Sequence, residues 1–265
     1  MYEELYERLP DAGAYLERIG LGGEEIKPDL PALDRLVHAH LTHVPFEDME
    51  PWGTGNCPDL AVKALFDKIV LRRRGGYCFE LNSLFYAFLN ELGFDVYMVM
   101  AHVMAERAEL PPPCHCCVIC SFKGEKYFCD VGYGGAVPDG GVKLSGESRH
   151  GFRLERSGIF YRVINEKNGC EELRFKDVPI APVELIPMNY YISQGATSPF
   201  RNQLHLNLRL EDGSVSVVDH VFKLRHSGQL EERRIDIADV PAILEEYFGI
   251  PSGGIKLREL GPFPG

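Results

Sequence analysis

Cys78 stands at the head of an apolar repeat, inside the stretch LRRRGGYCFELNSLF that runs from Leu71 to Phe85. A thiol can fill a core, hold a metal or attack a carbonyl, and its neighbours decide which. Leu81, Leu84, Phe85, Phe88, Leu89 and Leu92 recur at helical spacing, and Gly93 closes the pattern. Counting back three from Leu81 puts Cys78 in the first turn, on the inward face. A helix N-terminus favours an anion, which lowers a thiol's pKa and supports the nucleophilic thiolate. Gly75 and Gly76 let the backbone turn sharply and approach a ligand closely. A buried core cysteine is the alternative, because free cysteine is among the most buried residue types. Periodicity alone leaves both readings open.

A cysteine nucleophile needs a histidine as base and a carboxylate or amide to orient it. With nine histidines in the chain, a histidine alone proves nothing. The local candidate is PPPCHCCVICSFKGEKYFCDVGYGG, where His115 begins one β-rich run and Asp130 ends the next. In a strand, His115, Cys117 and Ile119 share one face, opposite Cys116, Val118 and Cys120. A turn at Gly124-Glu125 pairs Ile119 with Asp130, on the face of His115 but about 13 Å along it at ~3.3 Å per residue. A turn centred near Phe122-Lys123 sets the two directly opposite. The shared face is secure in both registers and the separation is not, so a bulge or a displaced turn is expected. The same run offers Cys114, Cys116, Cys117, Cys120 and Cys129 as soft metal ligands. Cys117 and Cys120 have knuckle spacing, but Val118-Ile119 between them suits a strand, and there is no second CxxC. No metal is expected.

These residues need elements to hold them. The chain has 265 residues, 45% hydrophobic and 25% charged, enough for one large domain or two to three packed subdomains. A net charge of −11 argues against a nucleic-acid partner. The N-terminal MYEELYERLPDAG lacks the basic and apolar regions of a signal peptide, and VYMVMAHVMA is too short to span a bilayer. Eight cysteines in a chain read as cytoplasmic point to reduced thiols rather than a disulfide framework. The first ninety residues read as helical, with Asp11 and Asp59 as N-caps of AGAYLERIG and DLAVKALFDKIV. From 94 to about 180, FDVYMVMAHVM, CCVICSF, EKYFCDV, GFRLE and IFYRVI read as short strands of a sheet or barrel. The Pro-rich DVPIAPVELIPM marks a boundary, followed by a short helix at Val183–Tyr191. Strands are expected at QLHLNLRL, at SVSVVDHVFKL and near EERRID, and a helix at DVPAILEEYF. Helices, then strands, then a smaller mixed segment make an α+β protein.

RRGGYCFELN, followed by His115 and DVGYGG, resembles the arylamine N-acetyltransferase family, whose signature is an Arg-Gly-Gly-x-Cys-Phe-Glu-x-Asn run. YLERIGL, VPFEDM at Val44–Met49, the 15-residue interval from His115 to Asp130 and SPF at Ser198–Phe200 support the resemblance over most of the chain. It implies a helical bundle (1–93) carrying the nucleophile, a β-barrel (94–195) carrying His and Asp, and an α/β lid (196–265). It implies acetyl-CoA as co-substrate, no bound cofactor, and arylamines, arylhydrazines or N-hydroxyarylamines as acceptors, as in xenobiotic metabolism. Cys78 matches the acetylated nucleophile, His115 the base and Asp130 its orienter. Asp48 stands where the family has Asn, and Tyr133 where Phe is usual. Phe46, Tyr133 and Phe200 are candidates for the acceptor slot, flat rings suiting flat amines, with core packing as the alternative. Gly132, Gly134 and Gly135 are candidates for contact with the pantetheine arm of CoA, or else simply make a turn. Glu47 and Arg74 are expected to form a buried ion pair bracing the loop before Cys78. The partners expected are acetyl-CoA and small aromatic amines, with no nucleic acid and no membrane, in a monomer or homodimer.

Two rivals share the thiol logic. A papain- or transglutaminase-like cysteine hydrolase uses the same order of Cys, His and Asp. An acyltransferase or amide synthase with a different acyl donor keeps the chemistry and changes the substrate. Release of free acetate without an amine separates the first from acetyl transfer.

Overall fold

The computed structural model describes residues 2–105 and 107–260; the last five residues of the expected lid, 261–265, lie outside them. The N-terminal part holds α1 (Ala12–Arg18), α2 (Leu30–His43), a two-residue strand β1 (Phe46–Glu47), α3 (Val62–Phe66) and α4 (Cys78–Glu91). Asp11 and Asp29 cap α1 and α2 through their carboxylates, on the N–H groups of Ala14 and Ala32. Asp59 differs from expectation. Its carboxylate takes the Ala61 N–H two residues on, so it closes a turn ahead of α3 and Ala61 is the cap residue.

The longest apolar stripe of this part belongs to α4. Phe79, Leu81, Leu84, Phe85, Phe88 and Leu89 are all fully buried. Each such side chain contributes about 1.5–3 kcal/mol relative to exposure, so α4 is anchored by packing along its whole length. Gly93, with φ of 83°, ends it.

The middle part is a seven-stranded antiparallel sheet in the order β5-β4-β3-β2-β8-β7-β6. Its strands are β2 (Asp95–Val103), β3 (His115–Phe122), β4 (Glu125–Cys129), β5 (Val142–Lys143), β6 (Phe152–Ser157), β7 (Phe160–Asn165) and β8 (Glu171–Phe175). The outer strands β5 and β6 pack together, which makes a nearly closed barrel. Val99, Cys117, Ile119, Phe128, Val163, Leu173 and Phe175 fill its interior. Met98, Cys116, Val118, Cys120 and Cys129 face outward onto the helical core that contains α4. Strand β3 is therefore buried on both faces, which accounts for its cysteines: they are small apolar residues between α4 and the barrel interior.

Helices α5 (Ile186–Gln194) and α6 (Pro199–Asn202) follow the barrel strands and lead into the C-terminal part. A five-stranded sheet follows, in the order β1-β9-β10-β11-β12, from β9 (His205–Leu210), β10 (Gly213–Val218), β11 (Val221–His226) and β12 (Gln229–Arg234). Helix α7 (Val240–Phe248) packs its Val240, Ile243, Leu244 and Phe248 on Leu206, Val215, Val217 and Phe222 of that sheet. SVSVVDHVFKL, expected as one strand, is two strands paired across a tight turn at Asp219-His220. Asp219 takes the left-handed φ of 47° that the turn needs. No helix among the described residues is long and apolar enough to cross a membrane.

Candidate active site

Cys78 is the first residue of α4, buried on the inward side of the helix. The helix start is fixed by Glu80, whose carboxylate accepts the Tyr77 N–H at 3.1 Å. Glu80 also takes Lys68 Nζ at 2.6 Å, and Lys68 reaches Glu50 at 3.0 Å. Arg74 Nη2 pairs with the fully buried Glu47 at 2.7 Å, so the expected Glu47–Arg74 pair is present as part of a larger buried network. Gly75 and Gly76 lie against the chain's own atoms and outside the cavity wall described below. A Cβ on Gly75 would run into the Pro45 carbonyl oxygen, and one on Gly76 would lie 2.8 Å from Glu80 Cβ. They let the loop before Cys78 lie against Pro45–Glu47, where the Glu47 N–H donates to the Gly76 carbonyl at 2.9 Å.

The β3–β4 hairpin turns at Lys123-Gly124, with φ of 51° and 83°, and pairs Val118 with Cys129. The turn is thus displaced from Gly124-Glu125 by one residue and no bulge is needed. Asp130, just past the end of β4, falls beside Cys117, one same-face position from His115. That diagonal is short enough: His115 Nε2 lies 2.6 Å from Asp130 Oδ2. Nε2 being engaged, Nδ1 is the ring nitrogen left for a partner.

Asn82, one turn after Cys78, ties the hairpin to α4. Its amide donates to Asp130 Oδ1 at 2.9 Å and to the Cys116 carbonyl at 2.8 Å, and its oxygen accepts the Val131 N–H at 3.1 Å. Gly132 donates its N–H to Asp130 Oδ1 at 2.8 Å. A Cβ at Gly132 would lie 2.9 Å from Cys78 Cα, so this glycine lets the loop sit directly on the cysteine's backbone. Burial opposes the Asp130 charge, but His115, Asn82 and the Gly132 N–H together hold its pKa below the ordinary value. Asp130 is an ionised carboxylate.

The thiol behaves differently from expectation. Burial pushes the Cys78 pKa well above its ordinary value, with nearby Cys116, Cys114 and Asp130 adding to the rise, and the Phe79 N–H pulls it back only in part. The helix N-terminus is outweighed by desolvation. A thiolate here needs a counter-cation, which only a proton passed to a neighbouring base can create.

Cys78 and His115 line one cavity of about 510 Å³ between the barrel and the C-terminal part. Phe46, Tyr133 and Phe200 line it too, with the Phe46 and Phe200 rings 5.9 Å apart. Tyr133 stands edge-on to the His115 ring at 5.7 Å, and its hydroxyl donates to Glu172 at 3.3 Å, which gives the polar end of this tyrosine a partner. Gly134 is in the wall; Gly132 and Gly135 are not. Sequence reasoning missed Asn82, which its position four residues after Cys78 could have flagged, and His205 and Arg107, which also line the cavity. His115, Cys117 and Asp130 lie close enough to hold a metal ion, but His115 and Asp130 are already joined and Cys117 Sγ is 3.7 Å from Asp130 Oδ2. Burial, with Asp130 beside it, raises the Cys117 pKa well above the ordinary value.

A family model described as N-acetyltransferase matches residues 29–255. The chain is 32% identical over 263 residues to the arylamine N-acetyltransferase of Mycolicibacterium smegmatis, an alignment covering 94% of this chain and 95% of that one. Among solved structures, the arylamine N-acetyltransferase of M. tuberculosis matches with a TM-score of 0.85 at 31% identity, over 94% of this chain and 97% of that one. The Mycobacterium marinum arylamine N-acetyltransferase in complex with CoA matches with a TM-score of 0.82 at 28% identity, over 91% and 93%.

Proposed function

The chain belongs to the arylamine N-acetyltransferase family, and from that premise we propose that Cys78 is the residue that carries the acetyl group. The enzyme moves acetyl from acetyl-CoA to the nitrogen of arylamines. Arylhydrazines and the oxygen of N-hydroxyarylamines are acceptors of the same chemical kind. In the first half-reaction Cys78 gives its proton to His115 Nδ1, and the thiolate attacks the acetyl thioester carbonyl. The C–S bond to CoA breaks, and CoA leaves as a thiol with the proton from His115. In the second, the amine attacks the acetyl-cysteine, His115 takes a proton from the nitrogen, and Cys78 leaves as the thiol. Asp130 holds the ring through Nε2 and stabilises its cationic form. The Cys78 N–H, one of the unpaired donors at the start of α4, is suited to the developing oxyanion.

The observation that carries this reading is the division of the imidazole. Asp130 occupies Nε2, while His115 and Cys78 share one cavity wall. Phe46, Tyr133 and Phe200 form the acceptor slot in this reading, and Gly134 is the glycine open to the pantetheine arm. The functional parts are the bundle (1–93), the barrel (94–195) and the lid (196–265). The enzyme works as a monomer or homodimer in the cytoplasm, a reducing compartment suited to Cys57, Cys78, Cys114, Cys116, Cys117, Cys120 and Cys129 as free thiols.

Intact mass tests the proposal. Acetyl-CoA alone should add one acetyl group to the protein, and an aromatic amine should then remove it as the amine is acetylated. Cys78→Ser should show neither event while keeping its fold. Turnover undiminished in that variant would refute the assignment, and free acetate in place of acetylated amine would make the protein a hydrolase.

A further inference from the structure

The cavity wall carries Arg107, His115 and His205 and, among the described residues, no Asp or Glu, in a chain with 39 acidic residues. Of these, His205 is paired with a buried carboxylate outside the triad. Asp48, fully buried, accepts the His205 N–H on Oδ1 and faces His205 Nδ1 from Oδ2, each at 2.8 Å. The His205 ring packs edge-on to Phe200 at 5.7 Å, and Phe200 is 5.9 Å from Phe46. Nε2 of His205 has no hydrogen-bond partner among the described residues. Asp48 and His205 are 157 positions apart, and they meet because β1 pairs with β9.

We propose that His205, held by Asp48, forms an anion subsite at the end of the acceptor slot, which selects aromatic amines bearing a carboxylate. The proposal rests on the acetyl-transfer reading and names the acceptor class within it.

The Asp48–His205 pair shares a proton across the Nδ1–Oδ2 bond. If the proton is on nitrogen, His205 is an imidazolium and Nε2 carries a hydrogen. If it is on Asp48, the carboxyl donates to Nδ1 and the neutral ring still carries its hydrogen on Nε2. Either way Nε2–H donates toward a ligand until the pair loses that proton. Burial pushes Asp48 up to about 7, partly offset by the two His205 donors. Burial opposes the His205 charge, but Asp48 and then Asp219 outweigh it and raise its pKa above the ordinary histidine value. The other acidic neighbour of the pair is Glu47, beside Asp48. In a cavity wall without carboxylates among the described residues, an N–H donor held by a buried carboxylate is a ready partner for a ligand anion. The flat slot beside it suits the aromatic ring that carries the anion.

The test compares kcat/KM for 4-aminobenzoate and 4-methylaniline in the wild type and in His205→Asn, so that the different intrinsic nucleophilicity of the two amines cancels between the proteins. Asn keeps a donor toward Asp48 and removes both Nε2 and the charge. The preference for 4-aminobenzoate should fall about tenfold, as expected for a hydrogen bond to a charged group. The rate of acetyl-adduct formation from acetyl-CoA alone is followed in both proteins as the readout of the donor half-reaction. An unchanged preference overturns the proposal, and so does a loss of adduct formation with the preference intact, which would put His205 on the donor side. A second measurement needs no variant. In the wild type, the preference should decline as pH rises through the titration of His205, and a flat ratio from pH 6 to 9 overturns the proposal. Calorimetric titration of 4-aminobenzoate against wild type and His205→Asn separates the two readings. His205-dependent binding by a protein that forms no acetyl adduct would keep the subsite and discard acetyl transfer, whereas an adduct with no such binding would do the reverse.

Discussion

Asp130→Asn isolates the step on which the proposed chemistry depends. The replacement is nearly isosteric, and its Oδ1 can still accept from Asn82 Nδ2 and the Gly132 N–H, so two of the hydrogen bonds at this position survive. What changes is the group facing His115 Nε2 at 2.6 Å. A carboxylate there accepts an N–H, which leaves Nδ1 unprotonated and ready to take the Cys78 proton. An asparagine with Oδ1 committed to Asn82 and Gly132 presents its NH₂ instead. Nε2 must then accept, the proton moves to Nδ1, and His115 can no longer act as base toward Cys78. The imidazolium also loses its counter-charge. A wrong tautomer in a triad of this logic costs roughly 10³–10⁴-fold, or about 4–5.5 kcal/mol of barrier. Rapid-quench intact mass measures the rate of acetyl-Cys78 formation directly, and steady-state kcat/KM for acetyl-CoA should fall by the same factor. Thermal unfolding and near-ultraviolet circular dichroism check that the fold persists. Acetylation within threefold of wild type in a folded variant would refute the division of roles between the two ring nitrogens.

Two further perturbations reach the supports. Asn82→Ala removes the Asn82 bonds to the buried Cys116 carbonyl and Val131 N–H and leaves Asp130 Oδ1 with the Gly132 N–H alone; urea unfolding should show a loss of about 2–4 kcal/mol, with kcat reduced more than KM, and a loss under 0.5 kcal/mol would contradict the bonding described. Glu80, pushed up to about 7 chiefly by burial, favours folding while protonated, so its contribution is present below the ordinary carboxylate range and fades as pH rises through about 7. Glu80→Gln should therefore gain stability relative to wild type between pH 5 and 8 by calorimetry, and a difference independent of pH would show that Glu80 does not titrate there.

Local periodicity carried most of the site. The i, i+3, i+4 stripe put Cys78 in the first inward turn of α4, and strand alternation put His115 and Asp130 on one face, because both depend only on neighbours in the chain. The separation of His115 and Asp130 was not legible, since it hangs on Lys123 accepting a left-handed φ, which no lysine announces. The same physics hid the turn at Asp219 inside SVSVVDHVFKL. Strand β8 was missed because its Glu171 and Arg174 side chains are held by an ion pair at 2.6 Å, so its polar residues gave no apolar alternation to read. The two-residue β1 is defined entirely by partners: Phe46 pairs with Asn207 and bridges to Gly76. The Asp48–His205 pair follows from that pairing, so nothing near either residue in the chain could reveal it.

The contiguity of RRGGYCFELN has a structural reason. Within one turn and a half of α4, Cys78 faces the cavity, Glu80 satisfies the Tyr77 N–H and receives Lys68, and Asn82 grips Asp130 and the β3 backbone. Nucleophile, helix start and carboxylate support are thus set by one rigid element rather than by three separate loops. Gly75 and Gly132 complete it from opposite sides, each allowing backbone to lie against backbone where a side chain would intervene. A shift of α4 would move the thiol and the Asp130 support together, whereas a shift of the barrel would stretch the Asn82 bonds first. Perturbations of β3 or β4 packing should therefore act on activity through Asn82 and Asp130, and perturbations of the Glu47–Arg74–Lys68 network through the loop that positions Cys78.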